Sequence, residues 1–207
     1  NQIPKLLRYA FLLLAVGAGA FLLLNVISNL GIPSEGPFLR GFVATYSDPG
    51  PATVSLPEGR GEMKIMNLSE KKFVLLGFSD LKSLLTIRHL FYLLSDNMRW
   101  VLVIMALFQM SRIFQNLDRK AVFCEDNVRS IRVIAFCVFI YPFLKLEATL
   151  QFNAIVSRLP GHGLNLTHVS VFHESLAVGV LLGLIIYSLA EVFRIGTHLQ
   201  QEQDLTI

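Results

Sequence analysis

The chain has 207 residues, of which 53% are apolar and only 16% charged, against roughly a quarter charged in soluble domains. The apolar residues gather into four long runs separated by polar segments, which excludes an ordinary soluble domain and points to a multi-span membrane protein. A net charge of +3 does not argue for nucleic acid, because the basic residues lie at the ends of the apolar runs rather than on one amphipathic face.

The first run is Tyr9–Leu30. Lys5 and Arg8 before it, and Ala18-Gly19-Ala20 within it, resemble the parts of a signal peptide. The run continues past them, however, and reaches the roughly 20 residues of a spanning helix. Residues 1–31 are therefore read as a retained transmembrane helix.

Residues 32–96 read as an extracytoplasmic segment. Pro33, Gly36, Pro37, Pro49, Gly50, Pro51, Pro57, Gly59 and Gly61 punctuate it, and between them lie runs of strand length: Gly41–Tyr46, Thr53–Leu56, Glu62–Leu68 and Lys72–Phe78. A small sheet is expected there. From Asp80 to Leu94 the period turns helical, as an amphipathic lead-in to the second span, with Asp96 and Arg99 an i,i+3 pair at its outer mouth.

Residues 97–207 hold the other three spans. The second has its apolar heart at Trp100–Ile113, flanked by Arg99 and Arg112. The third runs from Arg132 to Leu150 with Pro142 inside it, and the fourth is Leu176–Phe193, closed by Arg194. The expected fold class is thus membrane all-α: a four-transmembrane-helix bundle with a small extracytoplasmic β-rich insertion between helices 1 and 2. Arg112, Arg119, Lys120, Arg129 and Arg132 surround the loop between spans two and three, whereas the loop between spans three and four has only Arg158. Lys and Arg in short loops mark the cytoplasmic side, which places both termini inside.

No HExxH, GxSxG, glycine-rich phosphate loop or Cys-x-x-Cys occurs, so the reading is non-enzymatic and without a cofactor. His162, His168, His173 and Glu174 match no compact ligand spacing, and no metal is expected. Cys124 and Cys137 read as packing residues rather than a disulfide. Asp96, Arg99, Lys145, Glu147 and Glu174 form a candidate intramembrane polar cluster. Counted from Arg132, Lys145 and Glu147 lie about 20 Å into a core roughly 30 Å thick. At i,i+2 they do not share a helix face, and charged groups at that depth are functional candidates, with snorkelling to the interface as the alternative. The Gly179/Gly183 and Ala15/Gly19 spacings suit close helix approach, either inside the bundle or in a homo-oligomer.

Two elements on the cytoplasmic side carry the remaining signal. Phe123 to Arg132 reads as a helix start, with Glu125 and Asp126 at the positive end of the helix dipole and Phe123 stapled onto Val128. Beyond the fourth span, Val192, Ile195 and Leu199 make a narrow apolar stripe before the polar end. Phe123, Asn127, Arg129, Arg132, Glu191, Arg194, Gln200, Glu202, Gln203 and Asp204 are the candidate partner-binding residues. The pattern Phe123…Asn127-x-Arg129-x-Ile131-Arg132, with the ending Ala190-Glu191-Val192-Phe193-x-x-Gly196…Leu199-Gln200-x-Glu202-Gln203-Asp204-Leu205-Thr206, resembles a family of bacterial four-helix inner-membrane proteins of unknown function. Cys124 departs from the family's pattern, where a hydroxyl helix cap is expected. The resemblance implies a bacterial inner-membrane location and a gene often placed beside a small Cro-like helix-turn-helix regulator. The expectation is a regulator or scaffold that senses outside and docks a soluble partner inside, with membrane lipid as its surroundings and no direct nucleic-acid contact. The alternative is a small oligomeric transporter or channel using Lys145 and Glu147.

Overall fold

In the computed structural model the described residues are 2–29, 38–43, 53–55, 61–68, 71–78, 87–119, 121–156 and 174–204. Four helices dominate: α1 (Ile3–Asn29), α2 (Ile87–Asp118), α3 (Glu125–Val156) and α4 (Glu174–Asp204). Each is long and apolar enough to cross a membrane. All four outrun the apolar hearts read from the sequence, because helical hydrogen bonding continues through the polar flanks once a span has paid the cost of nucleation. Pro4 lies in the first turn of α1, where its missing amide hydrogen is not needed. The amphipathic lead-in and span two are one uninterrupted helix from Ile87 onward, so a boundary at 96/97 falls inside α2.

All four helices turn large apolar side chains outward, including Leu13 (73% exposed), Phe91 (53%), Phe136 (58%) and Val192 (62%). Water does not tolerate an apolar surface of that extent on a monomer, whereas acyl chains solvate it. With four such helices, the chain is a multi-pass integral membrane protein.

Between α1 and α2 the backbone forms four short strands: β1 (Phe38–Val43), β2 (Thr53–Ser55), β3 (Gly61–Leu68) and β4 (Lys71–Phe78). They pair antiparallel in the order β1-β4-β3-β2. Leu68 opposes Lys71, which sets the β3–β4 hairpin register, and Phe38 opposes Gly77. The strand expected at Gly41–Tyr46 begins earlier, at Phe38, and ends at Val43; residues 44–46 lie outside the described residues.

The chain divides into two compact units. The first comprises residues 1–21, 98–143 and 172–207. In it α1 meets α2 through the stacked rings of Phe11 and Phe114 (centroids 5.4 Å apart), the tilted Phe21–Trp100 pair (4.7 Å), and a hydrogen bond from Ser111 Oγ to the Arg8 carbonyl (3.2 Å). Ser130 Oγ reaches Gln109 Oε1 at 3.0 Å and ties α3 to α2. At Gly179 and Gly183 α4 lies against α3 without room for a side chain of its own. A Cβ on Gly179 would stand 2.8 Å from Pro142 Cγ, and one on Gly183 would stand 2.8 Å from Phe139 Cβ and 3.0 Å from its Cα. The glycine pair of span four is thus spent on packing within the chain. Gly17 and Gly19 of α1, by contrast, have nothing within 4 Å of an added Cβ.

The second unit comprises residues 22–97 and 144–171. Its helical part centres on Tyr92 and Phe152, both buried, with rings 5.3 Å apart. The same unit holds two separate sets of polar contacts. Asn25 Nδ2 donates to Asn97 Oδ1 (3.3 Å), Asn97 Nδ2 donates to the Leu93 carbonyl (2.7 Å), and Ser95 Oγ donates to Glu147.

Candidate functional site

The loop between α2 and α3 is built around one side chain. α2 ends with Arg119 N bonded to the Gln115 carbonyl (3.3 Å) and Ala121 N to that of Asn116 (3.0 Å). α3 then starts after Cys124, whose carbonyl accepts from the amides of Asn127 and Val128. Glu125 and Asp126 occupy the first turn, beside the unsatisfied amides of the helix start. Asn127 is fully buried. Its Nδ2 donates to the carbonyls of Ala121 (3.1 Å) and Val122 (2.8 Å), and its Oδ1 accepts from Asn116 Nδ2 (2.8 Å). Only an amide of this length offers two donors and an acceptor together, so Asn127 fixes the loop's path.

That path delivers Phe123 to α4. Its ring packs on Phe193 (5.6 Å between centroids) and against Gly196, where a Cβ would come within 2.8 Å of two ring carbons. One step along the seam, Arg132 Nη2 meets Glu191 Oε1 at 2.7 Å, and Arg194 Nε meets the other oxygen of the same carboxylate at 2.8 Å. Ala190 and Thr197, both buried, complete the inward face of this part of α4. Thr197 Oγ1 closes back onto the Phe193 carbonyl at 2.9 Å.

The structure therefore brings Phe123, Asn127, Arg132, Glu191 and Arg194 together as a lock between the loop and the last helix. It also corrects one expectation. Asn127, placed among the partner-binding residues, is buried inside the loop and unavailable to a partner. Phe123 packs on α4, at Phe193 and Gly196, a contact the spacing of the chain did not indicate. Arg129 and Gln200 stand exposed at the margin of the lock, as does Glu202, which is itself engaged. The side chains of Gln203 and Asp204 lie outside the described residues. Asn116 was missed: a lone Asn near a helix end carries no signal until its partner eleven residues on is known.

The candidate intramembrane cluster fares differently. Glu147 accepts from Ser95 on α2, while Lys145 is exposed on another face of α3, as the i,i+2 spacing dictates. Asp96 and Arg99 are half-buried on α2 and neither is free. The side chain of Glu174 falls outside the described residues, as do His162, His168 and His173. Ser95, Asn25 and Asn97, which make these polar contacts, were not anticipated, because single uncharged polar residues in a span are common.

A family model described as "Protein of unknown function (DUF2975)" matches residues 8–207. The match covers nearly the whole chain, and the protein belongs to that family. No curated protein and no solved structure matches it.

Proposed function

We propose that this member of a family without an assigned activity is a non-enzymatic regulator or scaffold of the bacterial inner membrane. In this reading both termini and residues 114–130 face the cytoplasm, and residues 32–96 and 151–173 face outward. A signal at the outer face is passed to a cytoplasmic surface that docks a soluble protein, for which a small helix-turn-helix regulator is the partner the family resemblance suggests. The observation that supports the reading is the lock. The residues shared with the family pattern, Phe123, Asn127, Arg132, Glu191, Phe193 and Gly196, converge on the seam between loop and tail. They gather there, not along a polar path through the helices.

Docking then falls to what the lock leaves at its rim, chiefly Arg129, Gln200 and Glu202. Charges of both signs beside the exposed Ile195 and Leu199 suit a reversible protein contact better than a DNA backbone, which wants a mainly basic patch. A lock with closed and open states of different affinity for the partner would couple the two sides of the membrane without catalysis. A transporter or channel built on Lys145 and Glu147 is less well supported, since those two side chains occupy different faces of α3 and Glu147 is bonded to Ser95.

Co-purification from native membranes tests the proposal, comparing the intact protein with a version truncated after Thr197 and with Arg129→Glu. Recovery of a DNA-binding regulator by the intact protein alone supports docking. Equal recovery of the same soluble proteins by all three refutes it and reduces the face to a topology anchor.

A further inference from the structure

An open groove runs between α1 and α2 within the first unit, floored by Ala15 and Ile104. Its walls are apolar: the exposed Leu12 and Val16 on α1, and on α2 the exposed Val101 and Phe108 with the half-buried Met105. Helical spacing decides what stands at the ends of those walls. Arg8 precedes Leu12 by one turn and Val16 by two, so it heads the α1 wall. Arg112 follows Phe108 by one turn and Met105 by two, so it heads the α2 wall. The hydrogen bond from Ser111 Oγ to the Arg8 carbonyl and the Phe11–Phe114 stack hold both arginines at the same end of the groove.

We propose that this groove binds an anionic phospholipid, with the phosphate on the guanidinium groups of Arg8 and Arg112 and one acyl chain along the apolar walls. The lengths agree. From Arg112 to Val101 is about 16 Å along the helix axis, close to the roughly 15 Å that one leaflet's hydrocarbon occupies. The charges agree as well. Arg112 is exposed and Arg8 half-buried, Lys5 adds a third, exposed cation one turn before Arg8, and among the described residues neither arginine is paired with a carboxylate. The first acid beyond Arg112 on α2, Asp118, lies about 9 Å farther along the axis. Guanidinium forks match phosphate oxygens, and basic ends of grooves between spans are where lipid headgroups are held. Tyr9, exposed beside Arg8 with its ring 5.6 Å from the guanidinium carbon, supplies an aromatic at headgroup level. The site is separate from the α3–α4 lock and stands whether or not a soluble regulator docks there.

Native mass spectrometry of the full chain, released from detergent with equal amounts of phosphatidylglycerol and phosphatidylethanolamine, tests this. The unaltered protein should retain phosphatidylglycerol preferentially. Arg8→Gln with Arg112→Gln should lower that retention on the order of tenfold and leave phosphatidylethanolamine unchanged. Val16→Trp, which fills the groove and keeps both arginines, should also lower it. Arg129→Gln, an exposed arginine away from the groove, should not. Equal retention of the two lipids by the unaltered protein overturns the proposal, as does a loss with Arg129→Gln as large as with the double substitution. A phosphatidylglycerol carrying a photoactivatable acyl chain gives a readout needing no variant: labelling should concentrate on α1 and α2, and equal labelling of α4 around Val178 overturns the site.

Discussion

Replacing Asn127 by alanine removes the amide that closes the loop between α2 and α3. Three hydrogen bonds go with it: two donated to the Ala121 and Val122 carbonyls and one accepted from Asn116. Each neutral bond contributes about 0.5–1.5 kcal/mol net, so the three together come to about 2–4 kcal/mol. The upper part of that range requires the abandoned partners to stay dry. Ala121 and Val122 are exposed, so water can reach their carbonyls and moves the expectation toward about 3 kcal/mol. For a chain of this length that corresponds to a fall in melting temperature of roughly 6–12 °C. Asn127→Asp should be at least as damaging, because a carboxylate keeps the bond from Asn116 but faces two carbonyl oxygens with no hydrogen to offer. The assay is thermal unfolding of the detergent-solubilised protein, followed by the fraction remaining monodisperse on size exclusion, with Arg129→Ala as the exposed control. If Asn127→Ala melts within about a degree of the unaltered protein, the loop is not organised by this side chain, and the account of how Phe123 reaches α4 is wrong.

Gly183→Ala should cost about 1–3 kcal/mol, because the new Cβ meets the backbone of Phe139 and the helices must part. Gly19→Ala meets nothing and should gain up to about 1 kcal/mol of helix propensity; the same melting assay separates the two. Cys124→Ser supplies a hydroxyl cap at the start of α3 and should raise stability by about 0.5–1 kcal/mol. In that background, cysteines introduced one at a time at Ser55 and Arg129 report topology: an impermeant maleimide on intact cells should modify the first and not the second, and the opposite pattern inverts the orientation. Ser130 is unsuitable as a reporter, being turned inward to Gln109.

The spans were legible because apolar runs of membrane length admit few other readings. Phe123, Arg132, Glu191 and Gly196 were legible only as a pattern. Their spacing along the chain says nothing of which residue each one meets, since the partners lie 59 to 73 positions apart. Asn127 shows the limit most clearly. A polar residue in the first turn of a helix reads equally well as surface or as cap, and only the returning loop, which puts two carbonyls in front of it, makes it a core residue. The Asn25–Asn97 and Ser95–Glu147 pairs were hidden for a related reason, since helix periodicity gives each residue a face but not the neighbour opposite.

The seam between α3 and α4 also bears on which changes in chain length the protein can absorb. Four contacts, Pro142 with Gly179, Phe139 with Gly183, Arg132 with Glu191 and Phe123 with Gly196, follow one antiparallel register. A single residue inserted between Arg132 and Phe139 would turn everything on one side of it by about 100° and shift it by about 1.5 Å. Either the two glycines would keep their partners or the lock would, but not both. Insertions and deletions in relatives should therefore be barred from 123–142 and 179–196 while remaining tolerated in the connections, and a relative that breaks this rule would have to carry a compensating change of equal length on the facing helix.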